Sequence, residues 1–309
     1  MILKALLAEH DGNLALVIGN GINRYKATLG QNSWDQLIMT LGKKLLGAQE
    51  TIPPGIALTE FYDLMDLGQT LKKPRLSLQQ QFCSLLQDWS PLEHHRRVTS
   101  WAKRRGCPIL TTNFDDVLGK ASASELRTIR ETTVAADRDT AVMPDRRRFT
   151  DYYPWESYYA AAELARPTGG FGIWHINGMQ RYHRSIRLGL SHYMGSVQRA
   201  RGWLHQGGRR LSSGNHDEDW AGAGSWLHIV FRKPLLILGL GLNENEVFLR
   251  WLLIERARYF RTFPEKKQPA WFVDGGAIDA GKAFFLQGVG VKPIQAEGYD
   301  ELYDEATWA

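Results

Sequence analysis

Four short stretches of the 309-residue chain combine residue types that can do chemistry with positions that can bring them together. Gly19, Asn20, Gly21, Ile22 and Asn23 follow the apolar run NLALVI. Two glycines one residue apart after a buried strand let the chain turn sharply and set backbone N–H groups against a pyrophosphate. Arg24 stands where a third glycine would complete the standard dinucleotide fingerprint, so a simple tight turn fits the pair equally well. Thr111, Thr112, Asn113 and Asp115 follow CPIL; His175 and Asn177 follow FGIW; Gly239, Gly241, Asn243 and Glu244 follow LLIL. In an open α/β sheet, ligands bind at such carboxyl ends of apolar strands. Amides there can hold sugar hydroxyls, and a histidine suits base chemistry near neutrality. Taken singly, each has a plainer use: Asn113 and Asn243 as helix caps, His175 as a satisfied core residue beside Trp174. Three such ends coinciding with a Gly-Asn-Gly loop favour a composite site.

The elements that must position these residues are buried parallel strands. Short β-rich apolar runs alternate with longer helical stretches, an α/β signature. Strands are expected at 13–18, 107–112, 171–176, 235–240, 268–273 and 289–294, with a further one at 185–190. Residues 34–46 place Leu37, Ile38, Leu41 and Leu45 on one helical face behind Ser33 as N-cap. Residues 55–102 carry further helical patterns punctuated by Pro53, Pro54, Pro74 and Pro91, a helical layer or insertion. Residues 120–170 are charged and Tyr-rich and read as loops and short helices. Residues 205–224 read as a mobile loop and 244–259 as a long helix.

Other combinations lead elsewhere. Gly276 and Gly281-Lys282 have phosphate-loop spacing, but Ala283 stands where that loop needs a hydroxyl for magnesium. The segment reads as a loop opening a surface helix. His94-His95, His183 and His192 lack a regular metal-ligand spacing, so no metal is expected. No Gly-x-Ser-x-Gly elbow surrounds Ser191, which disfavours a hydrolase triad.

Composition narrows the class. Apolar residues at 43% and aromatics at 11% exclude a disordered chain. Two cysteines, Cys83 and Cys107, cannot make a disulfide framework or a four-cysteine zinc module, which points to a reducing, cytoplasmic setting. The opening MILKALLAEHDGN does not fit a signal peptide, and no apolar run is long enough for a bilayer, so no membrane is expected. The net charge of +5 is mild, but basic residues cluster with aromatics at 145–149, 181–187 and 199–210. Phosphates or a nucleic-acid backbone, a solvated face and a subunit contact all fit such clusters.

Taken in order, Gly19-Asn20-Gly21-Ile22-Asn23, Trp34 opening a helix, Thr111-Thr112-Asn113-Phe114-Asp115, Trp174-His175-Ile176-Asn177-Gly178 and Gly239-Leu240-Gly241-Leu242 resemble the motif series of the sirtuin-like domains of bacterial anti-phage defence proteins. The Thr-Thr-Asn-Phe-Asp run is the most specific piece, and the resemblance spans about residues 13–260. It implies a single NAD-binding domain over 1–309: a Rossmann-like, mostly parallel sheet with helices on both faces, a helical insertion at about 50–102 and a loop-rich insertion at about 120–170. It also implies NAD+ as substrate, hydrolysed to nicotinamide and ADP-ribose by an effector that depletes NAD+ in abortive infection.

By the same resemblance, Gly19, Gly21 and Asn23 would line the pyrophosphate, and Gly239, Gly241 and Asn243 the adenosine side. Asn113 would hold the ribose next to nicotinamide, and Asp115 would brace that loop. Asn20, Ile22, Thr112 and Asn177 complete the cofactor-binding set. The family usually carries a histidine immediately before the motif glycine, where this chain has Asn177. His175 lies two residues earlier, and on a strand such residues share a face about 7 Å apart, so the base role would pass to His175, with Asn113 as its catalytic companion. The alternative is a catalytically weak NAD or ADP-ribose sensor, or a scaffold subunit contacting nucleic acid. Sirtuin deacetylases carry a four-cysteine zinc ribbon that two cysteines cannot build, which disfavours deacetylation. Restraint of such toxicity implies activation from outside the domain, by homo-oligomer assembly or by a separate partner such as a nucleic-acid translocase or nuclease.

Overall fold

The computed structural model of the chain describes residues 2–27, 32–46, 52–70, 76–129 and 153–309. Strand β1 (Ala15–Ile18) is buried along its whole length, as a parallel strand covered on both faces must be. It pairs in parallel with β2 (Ile109–Thr111) on one side and β6 (Leu235–Leu238) on the other. The remaining strands are β3 (Glu125–Thr128), β4 (Ser157–Ala160), β5 (Ile173–His175), β7 (Ala270–Asp274) and β8 (Lys292–Gln295). Together they form an eight-stranded sheet in the order β3-β4-β5-β2-β1-β6-β7-β8. The six strands from β5 to β8 in that order are parallel. Their order is that of the Rossmann fold, with the chain reversing direction across the sheet between β1 and β6. The register aligns Ile18 with Thr111 and Leu238, and Thr111 with His175. The loops leaving β1, β2, β5 and β6 therefore emerge from one row.

Alternation along the strands divides the core. Val17, Leu110, Trp174 and Ile237 meet α8 (Leu190–His205), α9 (Leu227–Arg232), α10 (Val247–Thr262) and α11 (Ala280–Gly288). Leu16, Ile18, Ile109, Ile173 and Leu238 meet α1 (Ile2–Glu9), α2 (Gly21–Arg24), α6 (Glu93–Arg105), α7 (Val117–Ala121), α12 (Tyr299–Tyr303) and α13 (Glu305–Trp308). A third cluster belongs to α3 (Trp34–Leu46), α4 (Leu58–Thr70) and α5 (Leu78–Ser84), a helical module between β1 and β2. Phe114, from the loop after β2, and Ile186 and Leu188, from the segment after β5, complete its core. The module thus sits over the ends of β2 and β5. Two polar anchors fix it there: Gln79 donates to Ile186 O at 2.9 Å, and Asp63 accepts from Ser191 N–H and Oγ–H at 3.1 and 2.9 Å.

Three expectations are corrected. Residues 185–190 are no strand: a 3-10 turn covers Gln180–Ser185 and α8 begins at Leu190. Ile186 and Leu188 are apolar because they fill the module's core rather than a sheet. Part of 120–170 is the antiparallel β3–β4 pair, with Leu126 opposite Tyr159; residues 130–152, including the basic cluster at 145–149, lie outside the described residues. The 205–224 stretch is packed rather than loose, with Leu211 and Trp220 buried and Asp217 paired to Arg232 and Lys266. The segment after β7 behaves as read: Asp279 caps α11 by accepting from Lys282 N–H at 2.7 Å. Among the described residues no helix is long and apolar enough to cross a membrane.

Candidate functional site

The loop after β1 meets the loop after β6 backbone to backbone. Gly21 N–H donates to Gly239 O at 2.6 Å, and Gly19 N–H donates to Leu238 O at 3.1 Å. A Cβ on Gly19 would stand 2.5 Å from Gly239 O, and one on Gly21 2.7 Å from Gly239 Cα. Gly239 itself has φ +63°, a conformation that favours glycine. These glycines are therefore required by the contact between the two loops, and the Gly21 N–H expected to face a pyrophosphate is engaged by Gly239.

Asn23 is a buried hub. Its Nδ2 donates to Asn20 Oδ1 at 3.0 Å and to Asp115 Oδ2 at 2.8 Å, while His95 Nε2 lies 3.0 Å from its Oδ1. Leu92 N–H donates to His95 Nδ1 at 3.1 Å, so the proton is on Nε2 and His95 is the donor to Asn23. Asn20 Nδ2 and Asn32 Nδ2 close the loop by donating to Asn32 O and Asn23 O. Ile22 is buried and its carbonyl accepts from His94 Nε2 at 2.7 Å. The His94-His95 pair, unreadable as metal ligands, thus holds the β1 loop in place. Asp115 also accepts from Val117 N–H at 3.0 Å, tying the β2 loop to the β1 loop. Burial pushes the Asp115 carboxyl up to about 6, against the pull of these hydrogen bonds.

Next to this hub lies a group of polar atoms with no partner. Of the ten buried side-chain N and O atoms that lack a hydrogen bond among the described residues, four are Thr112 Oγ1, Asn113 Oδ1, His175 Nε2 and Asn177 Oδ1. Buried polar atoms are nearly always paired, so their concentration at the ends of β2 and β5 marks this place. Their partners elsewhere determine what each can do. Asn113 Nδ2 donates to Gly19 O at 3.4 Å, leaving Oδ1 free as an acceptor. His175 Nδ1 lies 2.8 Å from Asn113 O, which puts the proton on Nδ1 and leaves Nε2 an acceptor. Burial lowers the His175 pKa, favouring this neutral form. Asn177 Oδ1, as an amide oxygen, is also an acceptor.

The expectation that His175 and Asn177 share a face does not hold, because β5 ends at His175. His175 packs edge-on to Tyr159, with ring centroids 5.8 Å apart. Asn177 lies in the following turn. At the β6 end, Gly241 and Asn243 are exposed. Asn243 Oδ1 accepts from Asn245 N–H at 3.1 Å, capping its own turn, and α10 starts at Val247 rather than 244. Glu246 was not singled out in the sequence: LNENEV offers two acidic residues, and nothing local marks which one turns inward. Burial pushes its carboxyl up to about 7. Within the basic cluster at 181–187, Arg187 is internal, lying over the Tyr153 ring at 4.8 Å and donating to Ser196 Oγ at 3.0 Å.

No protein-family model and no curated protein matches the chain.

Proposed function

We propose that the chain binds NAD+ over the ends of β1, β2, β5 and β6 and hydrolyses the bond between nicotinamide and ribose. The observation that carries this reading is the pair of orphaned acceptors at the ends of β2 and β5, Asn113 Oδ1 and His175 Nε2, held beside each other by the 2.8 Å contact of His175 Nδ1 with Asn113 O. A ribose offers hydroxyl donors; a phosphate or carboxylate at the same point would face like partial charges. Acceptors around the sugar also favour the positive charge that develops on it as the nicotinamide bond breaks. Water adds at the anomeric carbon, nicotinamide leaves as a neutral base, and His175 Nε2 takes the proton of the water. Asn113 holds the ribose, and Thr112 Oγ1 serves as either donor or acceptor beside it. The Rossmann strand order and its reversal between β1 and β6 add support. A cytoplasmic anti-phage effector that depletes NAD+, oligomerises and is triggered by a separate translocase or nuclease is the biological form of this proposal, and it rests on the motif resemblance.

A second reading, binding without turnover, is favoured by the engaged Gly21 N–H and by the complete burial of His175. Calorimetry with NAD+ and chromatography of released nicotinamide distinguish the two. Hydrolysis predicts that Asn113→Ala and His175→Ala each lower nicotinamide release by about 10²–10⁴-fold. Saturable binding with no release selects the sensor; no binding of NAD+ or ADP-ribose overturns both.

A further inference from the structure

The packed 205–224 segment leaves a cavity between itself, the end of α8, Phe231 of α9 and the second half of α10. Leu211, Phe231, Tyr259 and Phe263 form its apolar wall. Leu211 and Phe231 are fully buried, so this wall is part of the core rather than laid on the surface. Gly214 has φ +74°, and a Cβ on it would stand 2.5 Å from the Phe263 ring, so the turn is shaped to admit that ring. The atom-free space is about 370 Å³ with its mouth included. At about 30 Å³ per water that is room for roughly twelve waters, enough for a single ring with a short polar group and too little for a dinucleotide. The cavity is separate from the orphaned set. α10 leaves the β6 end at Val247, and its lining residues, from Glu255 to Thr262, stand roughly 12–22 Å further along the helix.

We propose that this cavity is a second binding site, which takes a small aromatic carboxylate with its ring against the apolar wall and its carboxylate on Arg258. The inference is independent of the NAD+ reading.

The head group follows from which polar groups of the lining are already engaged. Glu255 is buried; its Oε2 accepts from His205 Nε2 and its Oε1 from Arg258 Nη1, both at 2.6 Å. A cationic ligand would have to share a carboxylate that two donors already hold. Arg258 spends one N–H on that bond, and its guanidinium makes no other hydrogen bond among the described residues. Tyr259 adds a buried hydroxyl that has no hydrogen bond. Unspent donors suit a carboxylate, which only accepts and which a guanidinium grips with two parallel N–H bonds. Glu255 holds the guanidinium in place for that grip. Arg210 and Arg261, each one residue from a lining residue, are exposed and form no ion pair among the described residues, which adds positive charge near the mouth.

The test uses the full chain labelled with 15N and three probes that share one ring: benzoate, benzamide and benzylamine. Benzoate is expected to saturate with a millimolar Kd, the range open to so small a ligand, and to shift the amides of 204–213 and 255–263. Benzamide and benzylamine are expected to bind at least about tenfold more weakly. Arg258→Gln changes an exposed side chain and is expected to lower benzoate affinity about tenfold while leaving that of benzamide level. Ser212→Trp fills the cavity from its edge and is expected to abolish binding of all three probes. No saturable benzoate binding, equal affinity for the three probes, shifts confined to the ends of β1, β2, β5 and β6, or unchanged benzoate affinity in R258Q would each overturn the proposal. The comparison of head groups in the wild type decides the matter even if a variant fails to fold.

Discussion

Asp115 is the residue through which the loops after β1 and β2 answer to each other. Its carboxylate takes Asn23 Nδ2 with one oxygen and Val117 N–H with the other. Both bonds are buried, and a hydrogen bond to a buried charge contributes about 1.5–3 kcal/mol. Asp115→Ala orphans the Asn23 amide and the Val117 N–H together, so a loss of about 2–3 kcal/mol is expected in urea unfolding. Asp115→Asn keeps one acceptor oxygen and is expected to lose less. Equal losses for the two variants would show that the carboxylate acts through packing rather than through these bonds. The sequence placed Asp115 beside Asn113 but gave no means of seeing Asn23, which lies far away along the chain and reaches it only through the fold. The same distance hides the Gly21–Gly239 contact.

Elements announced themselves in the sequence when burial was complete. β1, β2, β5 and β6 lie in near-continuous apolar runs, and their buried patterns explain why. β3 (ELRT) is half exposed and charged, so neither alternation nor an apolar run betrays it. The apolar residues of 186–188 misled in the opposite sense, because periodicity cannot tell sheet burial from burial under helices. The α3–α5 module is held over the ends of β2 and β5 by apolar contact plus the Gln79 and Asp63 anchors. Gln79→Ala leaves the Ile186 carbonyl without that donor, a cost of about 1–3 kcal/mol. Hydrogen exchange is expected to quicken at the amides of 186–189 and within α5, while β1 and β6 keep their protection. Exchange that quickens uniformly would mean that the module and the sheet open as one unit.

Across the whole molecule, two sets of buried groups give stability opposite slopes with pH. His94, His95 and His175 are all lowered by burial, His95 to about 3. They resist protonation in the folded state, so their contribution is present above the unfolded value of about 6.5 and is lost as pH falls through their lowered values, for His95 about 3. Asp115 and Glu246 are raised to about 6 and about 7. Their contribution is present below the unfolded carboxylate range near 4 and is lost as pH rises through 6 to 7. Relative to the wild type, His95→Gln is therefore expected to raise the unfolding midpoint at pH 5 compared with pH 8, and Glu246→Gln to lower it. Shifts of the same sign in both variants would contradict this division. The central position of β1 also carries a consequence for biosynthesis. Its Ala15 cannot meet Leu235 until that residue has been made, and at about 5–20 residues per second the wait is roughly 10–40 s. Until β2 is made this fully apolar strand has both edges open, and from then until β6 it has one. Chaperone capture of the nascent chain should end when β6 emerges, which makes the Rossmann reversal a timed event as well as a place.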